Sequence, residues 1–198
     1  MSERETDAVV AERLERLVEA IDALLPQTQC RRCGYGGCRP YAEALARGEA
    51  PLNRCPPGGA PGIASLAALL QRPVLPLDPQ CGPEAPPPML WVDPDGCIGC
   101  ARCLPACPVD AILGAPRLMH SVIAQQCTGC ELCLPACPVD CILSRPRTPA
   151  ELEPAAADNR RRFEQHRERT ERTAHARERL LTERKRLACL EHSSADAP

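Results

Sequence analysis

Two runs of four cysteines are the residues of this chain whose type and spacing could do chemistry. Each run reads C-x2-C-x2-C-x3-C-P, and Cys127 follows Cys97 by 30 residues. Cysteine thiolates are ligands for soft metals, and three of them on one turning loop can occupy three corners of a tetrahedral site. The fourth corner must then come from elsewhere in the chain. The eight residues are Cys97, Cys100, Cys103, Cys107, Cys127, Cys130, Cys133 and Cys137.

The spacing of each run is typical of proteins that hold two [4Fe-4S] clusters, in which the last cysteine of one run ligates the cluster of the other run. Gly99 and Gly129 lie inside the loops, where the backbone must come close to the sulfur atoms. We therefore predict a cluster I and a cluster II with exchanged fourth ligands. The predicted ligands are Cys97, Cys100, Cys103 and Cys137 for cluster I, and Cys127, Cys130, Cys133 and Cys107 for cluster II.

Zinc is the main alternative, because cysteines at C-x2-C spacing also bind zinc. Two zinc sites would use eight cysteines as well, so the number of ligands does not separate the two metals. The third cysteine at fixed spacing and the proline after the fourth favour iron-sulfur clusters. A disulfide framework is disfavoured, since the 15 cysteines are odd in number and no secretory signal is recognised.

A third set of four cysteines lies closer to the N-terminus, with the spacing C-x2-C-x4-C-x16-C. Three come from one glycine-rich loop, and the fourth follows a short helix predicted from Pro40 to Arg47, which Gly48 ends. The set suits one further cluster, which we name cluster N. On spacing alone zinc stays open here, because zinc ribbons share the C-x2-C pattern. The residues are Cys30, Cys33, Cys38 and Cys55.

The composition indicates a protein that depends on bound metal for folding. Only 2% of the 198 residues are aromatic, and 23 are proline. Small domains with so few large core side chains usually need a metal or a disulfide for stability. The net charge of −2 disfavours nucleic acid as a partner. No nucleotide-binding glycine loop stands out, and no apolar run approaches the roughly 18 residues of a membrane helix.

The elements that must position the two runs form an internal repeat. Short apolar segments precede and follow each cysteine loop at the same 30-residue offset, and we predict each of them as a strand. We therefore predict an α+β fold, with a small helical iron-sulfur domain, a two-cluster bacterial ferredoxin-like domain and a helical C-terminal tail. The predicted strands are Leu90–Val92, Ala111–Leu113, Ser121–Ile123 and Cys141–Leu143.

The rest of the chain divides into segments of different character. Apolar residues at three- and four-residue steps predict amphipathic helices from Thr6 to Leu25 and from Pro61 to Leu70. Seven prolines between Pro73 and Pro88 predict an extended, semi-rigid linker. After residue 147, alternating arginine and glutamate predict a solvated, helical or partly disordered tail, with docking to a partner or to anionic lipid as the alternative. The predicted segments are 1–27, 28–72, 73–88, 89–146 and 147–198.

Three further cysteines and His120 lie outside the three sets. Cys81 lies in the predicted linker and Cys189 in the tail, and we interpret both as free thiols. Cys141 takes the place of Ala111 in the repeat, which predicts a small buried residue rather than a ninth ligand. His120 is predicted at a strand edge, because the cysteines already fill the sites.

The two cysteine-bearing units together resemble the B subunit of the Rnf/Rsx-type electron transport complexes, from about Thr28 to Pro146. The resemblance implies three [4Fe-4S] clusters, with Cys30, Cys33, Cys38 and Cys55 as the ligands of the first. The stretches that carry it are Gln29–Ala44, Asn53–Gly59, Cys107–Ile112 and Arg117–His120.

The resemblance also implies a function. It indicates a one-electron carrier that works beside a flavoprotein or NAD(H)-linked reductase and other electron-transfer subunits, rather than a stand-alone enzyme. The family usually begins with a membrane-spanning helix, whereas the charges from Glu12 to Glu19 make this first helix too polar to span. We therefore expect a soluble, cytoplasmic form, with peripheral attachment to the inner face of the plasma membrane as an alternative. A redox- or iron-sensing module acting through the charged tail is the other function that the sequence leaves open.

Overall fold

The computed structural model describes residues 3–148, 151 and 154–195, and within these ranges it describes side chains from residue 7 to residue 187. Short helices and strands alternate with cysteine loops, and a long helix follows them. The helices are α1 (Glu3–Leu24), α2 (Cys38–Ala46), α3 (Gly59–Leu70), α4 (Cys103–Ala106) and α5 (Ala156–Ala195), with a 3-10 turn at Pro79–Cys81. The strands are β1 (Met89–Val92), β2 (Ile112–Leu113), β3 (Ser121–Val122) and β4 (Ile142–Arg145).

The first unit is a small helical core made by α1, α2 and α3. The amphipathic helix predicted over Thr6–Leu25 forms as α1, and its apolar stripe packs on the two shorter helices. Tyr41 of α2 lies at the centre of this core, and Cys33 and Cys38 border it. No helix in the described part of the chain combines the length and the apolar character needed to cross a membrane.

The second unit joins its two halves through strand pairing. The outer strands β1 and β4 pair antiparallel, with Val92 opposite Ile142. The inner strands β2 and β3 also pair antiparallel. Each pair therefore takes one strand from each half of the repeat. The core between them is rich in cysteine rather than in large apolar residues, which agrees with the low aromatic content.

Gly99 and Gly129 show why the cysteine loops need glycine. Both residues have φ +67°, which L-residues with a Cβ rarely adopt. A Cβ on Gly99 would lie 2.8 Å from the backbone of Arg117, and one on Gly129 would lie 2.5 Å from the carbonyl oxygen of Pro88. Each cysteine loop is therefore closed under the segment that leads into the first strand of the other half of the repeat.

Residues 73–88, which the prolines predict as an extended, semi-rigid linker, pack against the first unit. The backbone N–H of Asp78 donates to the Asn53 carbonyl at 2.9 Å, and the Glu84 carboxylate accepts from the N–H of Ala60 at 3.2 Å. The side chain of Asn53 also donates to the Pro76 carbonyl at 2.5 Å. These polar contacts hold the segment against the first unit, because its prolines leave carbonyls that need donors.

The start of α5 packs against both units. The prediction of a solvated tail did not include these contacts. Phe163 packs on the core of the second unit, and Arg160 forms an ion pair with Asp22 of α1. His166 and Arg169 both contact the carboxylate of Asp110, at 2.8 and 2.5 Å. Beyond these contacts the described side chains of α5 are mostly exposed, as the alternating charges predict. The side chain of Cys189 lies outside the described residues.

Candidate metal centres

The eight cysteines of the second unit line two separate cavities, with four of the eight in each. In both cavities the fourth cysteine comes from the other run, as the spacing predicts. Four thiols around a cavity are a donor set that suits a cubane cluster, which is larger than a single ion. Within the described ranges, no three Cys, His, Asp or Glu side chains form a group that could hold one metal ion. The sets are Cys97, Cys100, Cys103 and Cys137, and Cys107, Cys127, Cys130 and Cys133.

Cys30, Cys33, Cys38 and Cys55 also come together, at the edge of the first core. Burial, together with the neighbouring thiols of the set, raises the pKa of Cys38 and of Cys55 to about 12. These two thiols are therefore protonated at neutral pH when no metal is bound. Binding of a cluster must displace their protons, which couples metal uptake to deprotonation.

Cys81 is a fifth thiol beside this set, although its sequence position suggested an isolated residue. It is buried, and its interaction with Arg54 raises the pKa of that guanidinium. Its thiol also lies near enough to Cys33 and Cys55 to raise the pKa of both. No spacing rule could place it there, because the packing of residues 73–88 brings it in.

A buried chain of hydrogen bonds connects the cluster N loop to helix α5. The N–H of Cys38 donates to Gln29 Oε1 at 3.0 Å, and Gln29 Nε2 donates to Gln27 Oε1 at 2.8 Å. Gln27 Nε2 in turn donates to the Asp22 carboxylate at 2.8 Å. Arg160 of α5 pairs with the same carboxylate, so the position of α5 and the shape of the loop depend on each other.

Tyr41 fixes the backbone that carries Cys55, and we expect Tyr41→Phe to lower the free energy of unfolding by about 1–3 kcal/mol. Its hydroxyl donates to the Pro51 carbonyl at 2.8 Å and accepts from the N–H of Arg54 at 3.2 Å. Phenylalanine would leave both groups without a partner. Thermal unfolding of the anaerobically prepared protein measures the change. Tyr35→Phe, which keeps the ring contact with Tyr41, is the control and should shift stability by less than about 0.5 kcal/mol; equal losses in both variants would contradict this role.

Cys137 and Cys141 form a thiol pair inside the cluster I cavity, with their Sγ atoms 3.5 Å apart. Burial raises the pKa of Cys141 to about 12, and the neighbouring Cys137 adds to this rise. Burial also acts to raise the pKa of Cys137, but the N–H groups of Val139 and Cys141 and the Cys141 thiol lower it overall. Of the pair, Cys137 therefore loses its proton more readily than Cys141.

His120 directly precedes β3, in agreement with its predicted place at a strand edge. Its side chain is only 2% exposed and lines the cluster I cavity, with Nδ1 3.4 Å from Cys97 Sγ. The strand prediction missed this contact because β3 is short and its neighbour is a cysteine loop. The sequence repeat contained one indication of this buried position, since His120 corresponds to the apolar Leu90 at the 30-residue offset.

The loop of cluster N packs directly against the loop of cluster II. Thr128, between two cluster II cysteines, donates its hydroxyl proton to the carbonyl of Thr28 at 3.0 Å. Arg32, within the cluster N loop, forms an ion pair with Glu131. In the cluster I set, Cys100 is exposed. The contacts of Thr28 and Arg32 join the cluster N loop to the loop of cluster II.

Comparisons with known proteins agree with these cysteine sets. Residues 91–143 match the family described as "4Fe-4S dicluster domain", and residues 25–57 match the family described as "Putative Fe-S cluster". The chain is similar to the B subunit of the ion-translocating oxidoreductase complex of Alkalilimnicola ehrlichii, with 60% identity over 109 residues, and to that of Thiobacillus denitrificans, with 58% over 110 residues. No solved structure matches the chain.

These similarities cover part of each protein. The aligned region is 54% of this chain for the Alkalilimnicola protein and 56% for the Thiobacillus protein, and 58% of each relative. The chain therefore spans less than two thirds of the curated relatives that it matches. The resemblance found in the motifs is confirmed: the chain carries a 4Fe-4S dicluster domain and is homologous, over about half of its length, to the B subunit of ion-translocating oxidoreductase complexes.

Proposed function

We propose that the chain is a one-electron carrier that holds three [4Fe-4S] clusters and serves as a subunit of an ion-translocating oxidoreductase complex. The observation that supports this most strongly is the exchange of the fourth cysteine between the two cavities. The proposed ligands are Cys30, Cys33, Cys38 and Cys55 for cluster N, Cys97, Cys100, Cys103 and Cys137 for cluster I, and Cys127, Cys130, Cys133 and Cys107 for cluster II.

A bound [4Fe-4S] cluster supplies one-electron chemistry, and the residues of this chain hold it and control its surroundings. Leu90, Val109 and Ile112 line the cluster II cavity and exclude water from it. The N–H of Ala111 donates to Cys107 Sγ at 3.1 Å, which stabilises negative charge on that sulfur. These contacts tune a redox centre without any catalytic acid or base.

The packing of the loops supports an electron route from cluster N through cluster II to cluster I, or the reverse. Cluster I is the outer end of this route, since Cys100 and Ile98, which is 62% exposed, open it to a partner. Three carboxylates, those of Asp93, Asp95 and Asp140, flank the cluster I cysteines in the sequence. Two other acids of the unit, Asp110 and Glu131, are already paired with basic side chains of this chain.

The partner that fits cluster I therefore has a basic face. We propose a flavoprotein or NAD(H)-linked reductase for this role, with the chain on the cytoplasmic side and attached peripherally to its complex. A reducing compartment agrees with the use of cysteines as thiolate ligands.

Electron transfer from the reduced protein to an external acceptor tests the function. With a low-potential donor and a flavoprotein acceptor in stopped-flow experiments, we expect the rate to fall as salt rises, because opposite charges steer the encounter. The double variant Asp95→Asn and Asp140→Asn should weaken this salt dependence, whereas Glu12→Gln with Glu19→Gln on α1 should leave it unchanged. A reduced protein that passes no electron to any acceptor would exclude the carrier function and favour a redox or iron sensor.

A further inference from the structure

The two cavities of the second unit correspond residue by residue through the 30-residue repeat. The apolar lining corresponds at three pairs of residues, although the cluster I cavity is more open to water, since Val139 is 42% exposed where Val109 is 2% exposed. The corresponding pairs, with the cluster I residue first, are Val92 and Val122, Val139 and Val109, and Ile142 and Ile112.

Two pairs put a possible donor beside cluster I only: Cys141 stands where Ala111 lines the cluster II cavity, and the larger change in polarity is at His120. His120 lines the cluster I cavity where Leu90 lines the cluster II cavity. The cluster II cavity has a hydroxyl of its own, that of Thr128, but its proton is donated to the Thr28 carbonyl at 3.0 Å. The apolar Leu90 offers no donor to the sulfur atoms of cluster II, whereas an imidazole can offer one.

The position of His120 is fixed by its surroundings. A Cβ on Gly114 would lie 1.8 Å from the Cδ2 of the ring, so only glycine leaves room for the ring at this place. The backbone N–H of His120 approaches Cys97 Sγ at 3.5 Å, and Nδ1 approaches the same sulfur at 3.4 Å. The backbone nitrogen and Nδ1 of His120 therefore both approach the same atom, Cys97 Sγ.

The other ring nitrogen decides which tautomer is present. Nε2 is buried and has no hydrogen-bond partner among the described residues. A proton on Nε2 would be a buried donor without an acceptor, and Nδ1 would then turn its lone pair toward a thiolate. A proton on Nδ1 avoids both costs, because it is donated to Cys97 Sγ.

We propose that His120 donates a hydrogen bond from Nδ1 to Cys97 Sγ and thereby gives cluster I a higher reduction potential than cluster II. An N–H directed at a ligand sulfur stabilises the reduced cluster, which carries one more negative charge. Electrons that reach cluster II then collect at cluster I, the end exposed to a partner. This inference rests on the proposed function, since it requires clusters at both cavities.

The direct test is His120→Leu, which places at the cluster I cavity the residue type found at the same position of the cluster II cavity. In an anaerobic redox titration followed by paramagnetic resonance, we expect a lower reduction potential for cluster I, an unchanged one for cluster II and an unchanged iron content. His120→Asn, whose amide can place a donor near the position of Nδ1, should restore part of the shift. His175→Leu on the exposed part of α5 is the control and should change neither potential.

Nitrogen NMR of histidine-labelled protein gives a readout that needs no variant, and it should show a proton on Nδ1 of His120. An unchanged cluster I potential in His120→Leu, with all iron retained, would overturn the proposal and leave the carrier function in place. Loss of cluster I iron in both His120 variants would also overturn it, because the residue would then hold the site rather than tune it. A wild-type protein with no redox-active cluster at Cys97 would instead refute the proposed function.

Discussion

Replacing Cys137 by serine should remove about four of the roughly twelve iron atoms that the anaerobically prepared protein holds. The lost cluster should be the one at Cys97, Cys100 and Cys103, although Cys137 lies in the other run. The reason is the exchange of fourth ligands, since Cys137 lines the cavity of cluster I. Iron and sulfide analysis with paramagnetic resonance measures the loss. The variant is also made with Cys141→Ala, because Cys141 Sγ lies 3.5 Å from Cys137 Sγ and could replace the missing thiolate.

Matched variants make this result specific. Cys107→Ser should remove cluster II in the same way, and Cys141→Ala alone should keep about twelve iron atoms, since three sets of four ligands are already complete. Loss of the cluster at Cys127 in the Cys137 variant would show that the ligands are not exchanged. A wild-type content of about eight iron atoms and one zinc would instead overturn the assignment of Cys30, Cys33, Cys38 and Cys55 to an iron-sulfur cluster.

Arg160→Leu should lower the free energy of unfolding by about 3 kcal/mol, the lower end for a broken buried ion pair, because the arginine itself is 30% exposed. The cost arises at Asp22, whose side chain is only 3% exposed and would keep a buried charge without its counterion. The same carboxylate anchors Gln27 and, through Gln29, the loop of cluster N. We therefore also expect faster release of iron from cluster N.

Denaturant unfolding and the rate of iron release to a chelator measure the two effects. Arg161→Leu is the control, because its ion pair with Asp158 is a surface pair within α5 and should contribute less than about 0.5 kcal/mol. Equal changes in Arg160→Leu and Arg161→Leu would mean that the contact of α5 with the first unit does not support the cluster N loop.

The grouping of the cysteines and the positions of most elements could be predicted from local sequence. A cubane constrains its ligands so strongly that three of the four must lie on one short loop. This requirement sets the spacing of those three cysteines in the sequence. Gly99 and Gly129 carry local information as well, since a φ of +67° favours glycine. The predicted helix Thr6–Leu25 and the four predicted strands also agree with α1 and β1 to β4 within about three residues, because periodic apolar patterns are local too.

The surroundings of the cavities could not be predicted in this way, because they depend on the packing of distant segments. The pairing of β1 with β4, the packing of residues 73–88 and the docking of α5 each join residues far apart in the chain. The contact of His120 with Cys97 could not be predicted for the same reason, since it depends on the space that Gly114 leaves. The roles of Cys81 and Asp22 depend on neighbours that are distant in the sequence, so no spacing rule could identify them. Such contacts depend on burial and on partners brought together by the whole fold, whereas ligand spacing depends only on the shape of one loop.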